Sequence, residues 1–114
     1  MTNIINRSEV WWVNFTPSIG GEIQKTRPAV VISNNYSNKY LNRVQVVPIT
    51  SNTSKCYPCE VYVTIDNKQA KAMADQLTTV SKDRLSAKLT SLNNNEMLKI
   101  AQAIKLQLNL EQLG

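Results

Sequence analysis

Apolar and aromatic residues crowd Glu9-Val-Trp-Trp-Val-Asn-Phe15, which predicts a strand that stops at Thr16-Pro17. Ser18 to Thr26 is a long polar connection containing Gly20-Gly21. Pro28-Ala-Val-Val-Ile-Ser33 is a continuous apolar run, short enough for a buried strand. Asn34 to Asn42 is polar, with two tyrosines, and reads as a loop or a single helical turn. Arg43-Val-Gln-Val-Val-Pro-Ile-Thr50 predicts a third strand, and its Pro48 implies an edge or a bulge.

After the polar loop Ser51 to Lys55, Glu60 to Ile65 predicts a strand closed by the turn Asp66-Asn-Lys68. Ala72 to Val80 reads as a further strand, although Ala72-Met-Ala74 is also compatible with helix. Ser81 to Arg84 suggests a helical turn and Lys88 to Thr90 a last short strand. Met97, Ile100, Ala101, Ile104 and Leu108 then fall on one helical face. Asn93 followed by Glu96 forms a near capping box at the start of that helix. Several short strands closed by one amphipathic helix predict a mainly β chain with α: a small, partly open barrel.

The 114 residues, 42% hydrophobic and 18% charged, fit one domain spanning 1–114. No apolar run reaches the ~18 residues that a bilayer demands, so no membrane role is expected and a cytoplasmic location is. Thirteen Lys and Arg against eight Asp and Glu give +5, which favours anionic partners. The chain has no histidine, which removes His-based triads, His metal sites and two-imidazole ribonuclease chemistry. Neither metal nor cofactor is expected. The pair Cys56 and Cys59 resembles a redox motif but runs into a strand rather than a helix N-terminus, and no further Cys or His completes a zinc set. It reads as two incidental thiols.

Arg27 stands where a loop meets a buried strand and is followed by Pro28, which would hold its guanidinium fork for bidentate contact with phosphate. An ion pair with Glu22 is the plainer use of the same residue. Thr50 and Ser51 offer hydroxyls at a strand tip, a position equally suited to turn formation. Asp75-Gln76 interrupts an otherwise neutral stretch; if buried, its carboxylate needs a partner such as Arg27.

Taken in order, Glu9 to Pro17, Gly21-Glu22, Thr26-Arg-Pro-Ala-Val-Val-Ile32, Val47-Pro-Ile-Thr50, Tyr57-Pro58 and Ala74-Asp-Gln-Leu77 resemble the MazF/PemK family of toxin endoribonucleases. The likeness covers residues 7 to about 110 and implies an SH3-like, partly open barrel of about six strands with a C-terminal helix. It also implies a homodimer that cleaves single-stranded RNA without metal, and an antitoxin whose acidic, flexible tail occupies the RNA groove. On that resemblance Arg27 and Thr50 match catalytic positions and Glu22 an acidic one nearby. Gly20, Gly21, Lys25, Thr26, Ser51, Lys55, Asp75 and Gln76 fall on RNA-contacting tracts, and either Glu22 or Asp75 could serve as base. One branch of the family carries arginine where this chain has Met73, and another frequent arginine falls near Thr78. The rivals are a gyrase-poisoning toxin of the same fold and a non-catalytic SH3-like binding module.

Overall fold

A computed structural model describes residues 4–16 and 25–110. Its strands are β1 (Glu9–Asn14), β2 (Thr26–Val31), β3 (Arg43–Thr50), β4 (Glu60–Ile65), β5 (Lys68–Met73), β6 (Thr78–Ser81) and β7 (Leu85–Ser91). Helix α1 (Asn35–Tyr40) precedes β3, and α2 (Asn94–Gln107) follows β7. The strands lie in the order β4-β5-β3-β2-β1-β7, with β6 also paired to β3. Every pairing is antiparallel. The sheet curls into the expected partly open barrel: six strands follow one path and β6 pairs beside it, among the described residues. Among the described residues no helix is long and apolar enough to cross a membrane.

The continuous apolar run of β2 has a direct cause: the middle of the sheet is covered on both faces. Val30 joins Val10 and Val47 in one cluster, which α2 closes with Met97, Ile100 and Ala103. Ala29 and Val31 join Trp11, Val13, Val44 and Val46 in a second cluster on the opposite face. The tandem tryptophans divide by the same alternation. Trp11 is buried, and Trp12 is 36% exposed.

Three expectations change. The stretch Ala72 to Val80 is not one strand: β5 ends at Met73, Ala74–Gln76 makes a 3₁₀ turn, and β6 begins at Thr78. Leu108 caps α2 beyond its last turn and is exposed, while Ala103 supplies the buried contact. Pro48 is buried inside the sheet rather than at an edge. The Ile32 amide donates to the Gln45 carbonyl, so by alternation the Pro48 nitrogen faces away from β2. There β3 changes partner, from β6 through Val46 to β5 from Ile49, and no amide is required.

The capping box at α2 is complete. Asn93 Oδ1 accepts from the Glu96 amide at 2.8 Å, and Glu96 Oε1 accepts from the Asn93 amide at 3.0 Å. Glu96 Oε2 also accepts from the Thr64 amide at 2.8 Å, which fixes the helix start to β4.

Candidate active site

Pro28 opens the sheet where the chemistry was expected. The β2–β3 ladder runs from Val31↔Val46 to Ala29↔Pro48 and stops. The same alternation that turns Pro48 away from β2 turns the Pro28 nitrogen toward β3, where it has no hydrogen to give. Beyond that point the strands part. Arg27 and Thr50, each two residues past the last pair, line the opening together with Ser51.

The opening continues into a groove of about 580 Å³. Trp12, Pro28, Ile49, Ala70 and Leu89 form its apolar walls. Asp66, Lys68 and Gln69 bring polar groups from the β4–β5 hairpin. Arg27 and Thr50 are half-buried and Ser51 is exposed. Thr50 Oγ1 accepts from the Asn52 amide at 3.2 Å, which leaves its O–H to donate to an anion. A half-buried guanidinium and an oriented hydroxyl at one mouth can bind a phosphate and stabilise charge that develops on its oxygens.

The loop after Thr50 is held from behind. Tyr62 Oη donates to the Thr53 carbonyl at 3.0 Å, and Lys71 Nζ donates to the Lys55 carbonyl at 2.7 Å. Thr50 itself pairs with Lys71 across β3 and β5. Lys55 therefore contributes its backbone to this anchor, and its side chain is not part of the groove wall.

Asp75 and Gln76 are also away from the groove. They sit in the Ala74–Gln76 turn, where the Ala74 amide donates to the Cys59 carbonyl at 3.0 Å. Asp75 lies against Cys59. Burial pushes the Cys59 thiol up, and the nearby Asp75 and Glu60 carboxylates push it further. Cys56 and Cys59 are both free and precede a strand, as the sequence indicated. Lys25 and Thr26 are exposed at the start of β2. The Lys25 carbonyl accepts from the Phe15 amide at 3.0 Å. Gly20, Gly21 and Glu22 lie outside the described residues.

Sequence reasoning missed Trp12, Asp66, Lys68 and Gln69. Tandem tryptophans in a strand carried a usable signal, since one of the two must face away from the other's core. The hairpin residues read as an ordinary turn, because only the pairing of β5 with β3 carries them past the tip of β3.

Comparison with known proteins gives the family and the fold. Residues 6–108 match the family described as "PemK-like, MazF-like toxin of type II toxin-antitoxin system". The chain is 33% identical to Endoribonuclease MazF9 of Mycobacterium tuberculosis, over 94% of this chain and 98% of that one. It is 32% identical to Endoribonuclease MazF of Staphylococcus epidermidis, over 94% and 93%. Its fold is similar to a crystal structure of MazF from Deinococcus radiodurans, with TM-score 0.85 and 24% identity over 95% and 99% of the two chains. A mycobacterial endoribonuclease in complex with its cognate antitoxin aligns with TM-score 0.80 and 24% identity, over 96% and 99%.

Proposed function

The chain belongs to the PemK-like, MazF-like toxins of type II toxin–antitoxin systems and is an endoribonuclease of that family; from this premise we propose that it cuts single-stranded RNA at short motifs without a metal ion and so inhibits translation. The meeting of Arg27, Thr50 and Ser51 at one end of a groove carries this reading.

The ribose 2′-hydroxyl gives up its proton to a base as its oxygen attacks the adjacent phosphorus, and the bond to the 5′-oxygen breaks as that oxygen takes a proton from water. The products are a 2′,3′-cyclic phosphate and a 5′-hydroxyl. Negative charge grows on the non-bridging oxygens, where the Arg27 fork and the Thr50 O–H act electrostatically. Arginine holds its proton at neutral pH, so the base is a carboxylate. With Asp75 beside Cys59, the proposal assigns that role to Glu22, on the segment leading to Lys25 and Thr26. Gly20, Gly21, Lys25, Thr26 and Ser51 are the proposed RNA contacts. The substrate supplies the nucleophile, so the reaction asks for neither histidine nor a metal-bound water.

The proposal includes a homodimer and an antitoxin with an acidic tail that competes for the groove. Leu98, Leu106 and Leu108 are exposed on or just after α2, which favours self-association. The deciding experiment is a long RNA incubated with the purified protein in excess EDTA. A ladder of 5′-hydroxyl fragments is expected. Intact RNA together with stalled gyrase would favour a gyrase poison, and cleavage that returns only with Mg²⁺ would end the metal-free mechanism.

A further inference from the structure

The groove does not end at the phosphate site, and its remaining length has a chemistry of its own. Because β5 pairs with β3 through Thr50↔Lys71, the residues Ala70, Gln69 and Lys68 run on past the tip of β3. Three residues of strand carry the hairpin about 10 Å beyond Thr50. That span matches the reach from a phosphate, across its ribose, to the far edge of its base.

Three features favour a base in this space. Trp12 presents an exposed ring on the groove wall, opposite Pro28 in the β1–β2 register. Exposed indole faces stack nucleobases, a contact typically about 1–3 kcal/mol per base. The hairpin turn is tight: Asp66 and Asn67 both take the left-handed conformation, with φ of 49° and 65°, as two-residue turns require. Finally, the groove holds Arg27 at its mouth and the Asp66 carboxylate beside Lys68 at the hairpin, so a phosphate is held at Arg27 while the hairpin, its two charges offset, offers a hydrogen-bond acceptor to a neutral base.

We infer that Trp12, Asp66 and Gln69 form a base-reading subsite for the nucleotide whose phosphate lies at Arg27 and Thr50, and that it selects a base bearing an exocyclic amine. The assignment rests on the nuclease reading for its biological meaning. The Asp66 carboxylate can only accept hydrogen bonds, so it suits the amines of adenine, cytosine or guanine. Uracil has no exocyclic amine, only an N3–H flanked by two carbonyls that a carboxylate repels, and is disfavoured. The Gln69 amide, donor and acceptor at once, can complete a second bond to the same base.

The probes are the four nucleoside 3′,5′-bisphosphates, titrated against tryptophan fluorescence. The binding signal should come from Trp12, because Trp11 is buried. Quenching is expected with adenosine, cytidine or guanosine bisphosphate at least about 10-fold more tightly than with the uridine compound. Asp66→Asn, whose amide can also donate, should bring uridine up to the others. Trp12→Phe should keep binding, followed by displacement of a labelled nucleotide, while losing most of the quench. Equal binding of all four by the unaltered protein would overturn the subsite, as would a uridine penalty that survives Asp66→Asn. Cut sites mapped on one long RNA separate the two readings. RNA cleavage without base preference in the titration refutes the subsite alone. Base preference without cleavage refutes the nuclease and leaves the subsite standing.

Discussion

Lys71 Nζ stands 3.0 Å from Glu60 Oε1, and the two side chains are only 8% and 10% exposed. This ion pair sits diagonally across the β4–β5 hairpin, since Lys71 is opposite Tyr62 and Glu60 opposite Met73. Neither charge is left to the other alone. Lys71 also donates to the Lys55 carbonyl, and Glu60 Oε1 accepts from the Tyr57 amide at 2.9 Å. The pair therefore pins both ends of the segment between Lys55 and Tyr57 to the sheet beside Thr50.

Removing one partner should cost far more than removing both. Lys71→Met leaves a nearly buried carboxylate without its cation, a change that typically costs ~3–5 kcal/mol. The double variant Glu60→Gln with Lys71→Met should recover much of that loss. Urea unfolding of the two single variants and the double variant, closed as a cycle, measures the coupling. Additive losses would show that the pair does not act as a unit.

A second carboxylate predicts how stability responds to acid. Burial pushes the Glu9 carboxyl up, but the Asn6 amide, the Trp11 indole N–H and Lys88 outweigh it and hold the group below its ordinary value. Their distances are 2.8, 3.1 and 3.2 Å. A carboxyl depressed in the folded state contributes stability that is present above its unfolded pKa of about 4.3. That contribution disappears as pH falls through the lower folded value. Glu9→Gln should thus be less stable than the parent at pH 7, with the gap closing on acidification below pH ~4. A gap that stays constant to pH ~2.5 would mean that Glu9 does not titrate in this way.

The two thiols should react unequally. Cys56 is exposed, whereas Cys59 is half-buried and its thiol is held protonated by burial and by the Asp75 and Glu60 carboxylates. Only the thiolate is nucleophilic, so iodoacetamide at pH 8 should label Cys56 well before Cys59. Asp75→Asn should narrow the difference by removing a negative neighbour. Mass spectrometry of peptides sampled over time reads both rates, and equal labelling in the folded protein would contradict the assignment.

The strands β1 to β4 were legible because their apolar residues alternate or run continuously, and α2 because its stripe and its capping box agree. The break between β5 and β6 was hidden: Ala74 is small enough to be buried in a turn, and Asp75-Gln76 looks the same in a strand loop as in a 3₁₀ turn. Arg27, Thr50 and Ser51 could be chosen from their places at strand ends. What brings them together could not, since it depends on which side of the ladder Pro28 and Pro48 turn their nitrogens. The Glu60–Lys71 pair was invisible for a related reason. Two charges eleven positions apart meet only when the hairpin register is known.

Arg27 and Thr50, at the mouth of the groove, can be tested separately. Arg27→Ala should keep the fold, since Ala29 and Val31 carry the buried part of β2. Its RNA cleavage should fall by about 10²–10³, the usual loss when one donor to a transition-state oxyanion is removed. Arg27→Lys should recover little, because an ammonium is a point charge and cannot hold two oxygens in a planar fork. Thr50→Ser should retain most of the activity and Thr50→Ala should lose it, because only the hydroxyl is asked to donate. Single-turnover cleavage of one defined RNA, beside circular dichroism of each variant, separates these effects from misfolding. Losing a phosphate contact should also flatten the salt dependence of RNA binding, by about 0.7 in log–log slope per phosphate released. Folded Arg27→Ala that cleaves at the parent's rate, with the parent's salt slope, would remove Arg27 from both catalysis and binding.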